Sequence, residues 1–175
     1  MDADARRDFV RNNKVCVYGY TRRQDGPAMT VVYYTMDGDD LLILTMGARA
    51  KAKAVLRDPK VSVCVLDMQS PPSYVQVYCE ARVDPDPELL IDMGMNIFGT
   101  SLAMSGPGET PDPPEVARGK IAELMELEGR VVLRLTPYAT FYSPPTRGGS
   151  FSELVEYRRK LGAQGMALGS SLPWR

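Results

Sequence analysis

A chain of 175 residues, 44% apolar and 25% charged with a formal net charge of −1, is long enough to bury its own core as a single domain. That balance excludes a generally basic nucleic-acid binder, and no apolar run approaches the roughly 20 residues a membrane-spanning helix needs. Histidine is absent altogether, which excludes Ser–His and Cys–His nucleophile systems and every zinc site built on imidazole.

The N-terminus, "MDADARRDFVRNN", has no hydrophobic signal region, so a cytoplasmic protein is expected. Residues 3–12 can form a short helix with Phe9 and Val10 as its apolar contacts. "KVCVYGYT" (14–21) alternates as a half-buried strand does. An Asp-Gly turn leads to "MTVVYYTM" (29–36), whose β-branched and aromatic residues predict the return strand. "DGDD" is a second tight turn and "LLILT" (41–45) a third strand, so an antiparallel meander is expected.

A helix starting near Ala50 and ended by Pro59 follows, with Ala52, Val55 and Leu56 predicted on its packed face. "KVSVCVLD" (60–67) and "YVQVYCEARV" (74–83) alternate cleanly, joined by "MQSPPS". Helical spacing of Leu90, Met93 and Ile97 predicts a helix over 87–98. That of Ala117, Ile121, Leu124 and Met125 predicts another over 113–129, opened by proline and closed by glycine. The Gly/Pro/Ser-rich "GTSLAMSGPGETPD" between them reads as a loop. "RVVLRLTP" (130–137) and "YATFYS" read as two further strands. A Ser150/Glu153 capping box opens a closing helix that ends at Gly162, and the tail beyond it has no period.

The expected fold is mainly β (α+β). Six or seven antiparallel strands with flanking helices form one domain closed into a small barrel, since closure removes exposed edges. The barrel core spans about 14–142, a helical insertion about 86–129, and a C-terminal helix and tail 150–175.

"TMGARAKAKAVLRDP" (45–59) carries the chemistry. Arg49, Lys51 and Lys53 cluster where a helix begins, with no acid before Asp58. Cations at a helix N-terminus oppose its dipole, costing a few tenths of a kcal/mol each. An anion bound there would reverse the sign, as phosphates do. A nucleophile with a lysine base would need no histidine, but no spacing suggests one, so any chemistry is expected to belong to a bound cofactor.

The order "DGPAMTVVYYTMDGDDLLILTMGARAKAKAVLRDPKVSVCVLD", followed by "YVQVYCEARV" and later "RVVLRLTP", resembles the split-β-barrel flavoproteins related to pyridoxamine 5'-phosphate oxidase. It is more similar still to their deazaflavin (coenzyme F420)-dependent oxidoreductase and biliverdin reductase branch. The resemblance implies hydride transfer from reduced F420, with FMN as the alternative cofactor, to a conjugated acceptor of biliverdin or quinone type. It implies phosphate binding by Arg49 and Lys51, with Lys53 the following basic position and Thr45 ending the preceding strand. The segment Thr30, Val31, Val32 and Tyr33 would lie along the ring. A homodimer holding cofactor between subunits is also implied. Two departures stand out: Ala54 replaces the branch's usual Asn, and "PAMTVVYY" lacks its His and second Pro. A split barrel binding flavin, haem or an apolar ligand without turnover is the competing reading.

No residue is assigned as catalytic and no metal is expected. Asp39/Asp40 and Asp84/Asp86 read as solvated turn residues, and "GPG" (106–108) lacks the Lys-Ser/Thr of a phosphate loop. Cys16, Cys64 and Cys79 read as small buried hydrophobes. Tyr33, Tyr34, Tyr74, Tyr78, Tyr138 and Tyr142 read as barrel filling, and Met93, Met95 and Met104 as core or pocket lining.

Overall fold

A computed structural model describes residues 1–67, 73–98, 112–143, 150–153, 155, 156, 159 and 171–175. Alternation of apolar and polar residues builds the strands β1 (Val15–Tyr20), β2 (Ala28–Tyr33), β3 (Thr35–Asp37) and β4 (Asp40–Met46). The strands β5 (Lys60–Asp67), β6 (Ser73–Asp84), β7 (Arg130–Ser143) and β8 (Leu172–Pro173) follow. The helices are α1 (Ala3–Arg11), α2 (Ala50–Val55), α3 (Pro87–Phe98) and α4 (Pro114–Leu127). The Ser150/Glu153 capping box forms in both directions, and residues 151–153 are helical. No described helix is long and apolar enough to cross a membrane.

The sheet runs β2-β1-β5-β6-β7-β4-β3, with β8 added to β7, and every pairing is antiparallel. Its two outermost strands, β2 and β3, are consecutive pieces of one segment divided at Tyr34. That segment was expected to be a single meander strand. Instead its first half pairs with β1 and its second half with β4, so it passes from one margin of the curled sheet to the other and closes the split barrel. Tyr34 fixes the crossing point: its side chain is buried, its N–H donates to the Lys14 carbonyl at 3.0 Å, and its hydroxyl donates to the Val10 carbonyl at 2.6 Å. The Gly38-Asp39 turn between β3 and β4 needs φ of +60° at Gly38, which glycine adopts without strain.

A second correction concerns 130–143, which forms one strand rather than two. Pro137 has no N–H to give, and the register shift opposite Tyr78/Cys79 absorbs it as a bulge without ending the strand. The tail also contributes structure, because Leu172 and Pro173 pair with Thr140 and Ala139. The stretch 99–111, expected to be a loop, and residues 144–149 and 160–170 lie outside the described residues.

The barrel interior is filled by Tyr18, Ile43, Val63, Val65, Val77, Leu133, Leu135 and their neighbours. Leu90, Met93 and Ile97 of α3 form a second cluster with Leu42 and Val132, on the expected face. Gly94 lets α4 come close: a Cβ there would lie 2.6 Å from the Ile121 side chain.

Asp86 is an exposed turn residue as expected, but Asp39, Asp40 and Asp84 are held in ion pairs rather than simply solvated. Arg134 on β7 draws in Asp84 (2.6 Å), Asp37 (2.8 Å) and Asp40 (3.1 Å), tying β6, β7 and the β3–β4 turn together. Burial pushes the Asp84 carboxyl up. The Arg134 hydrogen bond, the Asp86 N–H and the charges of Arg82 and Arg134 outweigh that and hold it below 3.8. A carboxyl lowered in this way stabilises the fold above the ordinary carboxylate range, and the contribution is lost as pH falls through the lowered value. Arg134→Met is therefore expected to cost about 1.5–3 kcal/mol at pH 7. The gap from wild type should narrow in urea melts carried down towards pH 2. A gap independent of pH would show that Asp84 ionisation is not involved. Among the described residues no acid or cysteine cluster could hold a metal ion.

Candidate functional site

The apolar strand β4 delivers the chain to Thr45 and Met46, and α2 follows after a short turn. The helix is short, with Arg49 as N-cap making no side-chain capping bond and no acid in its first turn. Ala52, Ala54 and Val55 are buried as the helical spacing requires. Leu56 does not join them: it stands at the C-cap, where the chain leaves the helix, and is 76% exposed.

Lys51 is the unusual member of the basic cluster, being only 8% exposed. Burial, and after it the charge of Arg49, hold its ammonium below the ordinary lysine range. Arg49, Lys51 and Lys53 form no ion pair among the described residues. A buried, unneutralised cation beside a second cation is costly, and an external anion would relieve both.

Arg49 and Lys51 line a cleft of about 200 Å³ together with Val31, Val32, Tyr33, Leu44, Thr45, Met46, Ile97 and Arg130. Most of the residues anticipated from sequence thus meet in one place. Along β2 the alternation splits the anticipated segment: Val31 and Tyr33 are 71% and 68% exposed, while Thr30 and Val32 are half-buried. Thr30 does not line the cleft, and its buried hydroxyl makes no hydrogen bond among the described residues. Lys53 points elsewhere, into a basic groove of about 310 Å³ with Arg22, Arg23 and Arg57.

Arg130 was not anticipated. It opens β7 opposite Met46, pairs with Glu128, and packs against the Phe98 ring at 4.7 Å to the centroid. Its sequence context, an ordinary strand start after glycine, gave no sign that pairing with β4 would bring it beside Lys51. Among the described residues the cleft is therefore lined by three cations and no carboxylate, Arg130 alone having a carboxylate partner in Glu128.

Tyrosines divide between filling and lining. Tyr18 and Tyr34 are buried in the barrel, but Tyr33 and Tyr138 are exposed, contrary to the barrel-filling expectation. The cysteines are unpaired; Cys16 and Cys79 are buried, whereas Cys64 is only half-buried. Burial pushes the Cys16 thiol up to about 12, so it is no nucleophile at neutral pH.

The residues fit an anionic, aromatic cofactor: unpaired cations lie at one end of the cleft, with the apolar faces of Val31 and Tyr33 beside them. A closed, curled antiparallel sheet with flanking helices defines a split barrel. Residues 3–142 match the family described as pyridoxamine 5'-phosphate oxidase, and the chain belongs to that family.

Among solved structures, a conserved hypothetical protein from Mycobacterium tuberculosis superposes with a TM-score of 0.64 at 19% identity, over 87% of this chain and 94% of that one. An FAD-binding protein from Mesorhizobium loti gives 0.57 at 16% identity, over 80% and 92%. An F420 reductase gives 0.53 at 20% identity, over 77% and 94%. At these identities the likeness establishes the fold. The comparison with curated proteins gave no match.

Proposed function

We propose that the protein is an oxidoreductase that uses reduced deazaflavin coenzyme F420 and passes hydride to a conjugated organic acceptor of biliverdin or quinone type. The observation that carries this reading is the convergence of unpaired Arg49 and buried Lys51 with Val31 and Tyr33 in one cleft. When bound, the deazaflavin supplies the hydride. Arg49 and Lys51 would take its phosphate, as charge-assisted contacts do most strongly where water is scarce. Val31 and Tyr33 would orient and shield the ring, which is the positioning role a chain without histidine can fill.

The exposed apolar face of β2, formed by Met29, Val31 and Tyr33, supports a homodimer in which a second copy covers the cofactor. The same cations suit the phosphate of FMN, so the choice between cofactors is experimental. Titration with F420 and with FMN, followed by fluorescence, is expected to show tighter binding of F420. Acceptor-dependent oxidation of reduced F420, read by absorbance, should follow. Tight binding without acceptor-dependent oxidation would make the protein a ligand-binding barrel instead, and preference for FMN would replace the cofactor.

A further inference from the structure

A second and larger cleft, about 850 Å³, opens beside the first and shares Tyr33 and Ile97 with it. Its volume falls within the range of small-molecule sites, and its walls are largely apolar and aromatic: Tyr33, Tyr34, Met36, Ile97 and Phe98. Three of its polar side chains are already committed. The Tyr34 hydroxyl donates to the Val10 carbonyl, the Asn13 amide donates to the Phe9 carbonyl at 2.8 Å, and Arg11 pairs with Asp39 at 2.7 Å and Asp8 at 3.6 Å. The Lys14 ammonium is different, since among the described residues it has no ion-pair or hydrogen-bond partner. One uncommitted cation in a chamber of flat apolar walls selects for a flat apolar molecule with a negative group.

We propose that this cleft binds a planar conjugated molecule bearing a carboxylate or comparable anionic group, with Lys14 as its counter-ion. Because Tyr33 and Ile97 line both clefts, the two occupants would meet across them, which makes this the acceptor site of the proposed oxidoreductase. The acceptor role rests on that functional reading; the binding preference does not. The basic cleft, with Arg49 and Lys51, serves the cofactor's phosphate.

The test needs neither cofactor nor turnover. Fluorescence titration of the full chain would compare 1-anilinonaphthalene-8-sulfonate with the uncharged N-phenyl-1-naphthylamine. The sulfonate is expected to bind more tightly. Lys14→Met should weaken the sulfonate by roughly threefold to fivefold and leave the neutral amine unchanged, as befits a partly solvated charge. Lys14→Arg should restore the preference, and Met36→Trp, which fills the cleft, should weaken both probes. Excess inorganic phosphate, directed to the other cleft, should not displace the sulfonate.

Equal binding of the two probes, a preference unaltered in Lys14→Met, or binding unaltered in Met36→Trp would overturn the proposal. So would exclusion of both probes, since a second copy of the chain would then cover the cleft. Loss of F420 activity in a protein that passes this test would remove the acceptor role and leave the anion-selective site.

Discussion

Trp174→Ala is expected to destabilise the protein by about 3–5 kcal/mol, the range for removing a large aromatic from a packed core. The residue is one from the C-terminus yet only 3% exposed, and it belongs to the barrel cluster with Val10, Tyr18 and Tyr34. Backbone and side chains hold it there from several directions. β8 pairs with β7, the Trp174 N–H donates to the Tyr138 carbonyl at 3.4 Å, and Arg6 and Arg7 donate to the carbonyls of Pro173 (2.7 Å) and Trp174 (3.2 Å). The indole Nε1–H is buried without a partner among the described residues, so hydrogen bonding there is not what stabilises. Trp174→Phe should therefore recover most of the loss, since apolar volume matters more here than polarity. Denaturant melts would read both variants: a lowered midpoint with an unchanged slope is the expected result. A midpoint within experimental error of wild type for the alanine variant would mean that the tail does not seal the barrel.

Arg49→Ala combined with Lys51→Ala is expected to weaken cofactor binding at least tenfold, because each charge-assisted contact is worth about 1.5–3 kcal/mol. The free protein should respond in the opposite sense. Lys51 is a buried cation with a lowered pKa, so it is destabilising while protonated. That penalty is fully present below its folded pKa and fades as pH rises through the ordinary lysine value of 10.5. Lys51→Met should accordingly gain roughly 0.5–2 kcal/mol in the absence of cofactor at pH 7, a typical return for relaxing a functional site. Affinity falling while stability rises would separate a binding defect from a folding defect. Unchanged affinity in the double variant would remove the phosphate assignment.

How much of this could be read from the amino acids depends on the range of the interaction involved. The alternation of "KVSVCVLD" and the helical spacing of Leu90, Met93 and Ile97 are local patterns, and both elements form where those patterns place them. The cation cluster was legible for the same reason, since Arg49, Lys51 and Thr45 are neighbours along the chain. Arg130 reaches the cleft only through the pairing of β7 with β4, which no local pattern encodes. Trp174 was missed because a strand of two residues has too little length to show a period. Asp84 and Asp40 looked like turn residues because the cation between them, Arg134, lies far along the chain on a different strand. Leu56 was misplaced by a single residue, the difference between the last turn of a helix and its cap.

The division of one segment at Tyr34 has a consequence for how the molecule responds to its ligands. Tyr33 and Thr35, the residues flanking that seam, both face the larger cleft, so an occupant grips the chain on either side of the place where the two margins are stitched together. Whatever binds there fastens the barrel shut, and the energy of recognition is returned as resistance to opening in proportion to the logarithm of ligand concentration over its dissociation constant. The protein is in this sense a clasp, tightest when it is holding something.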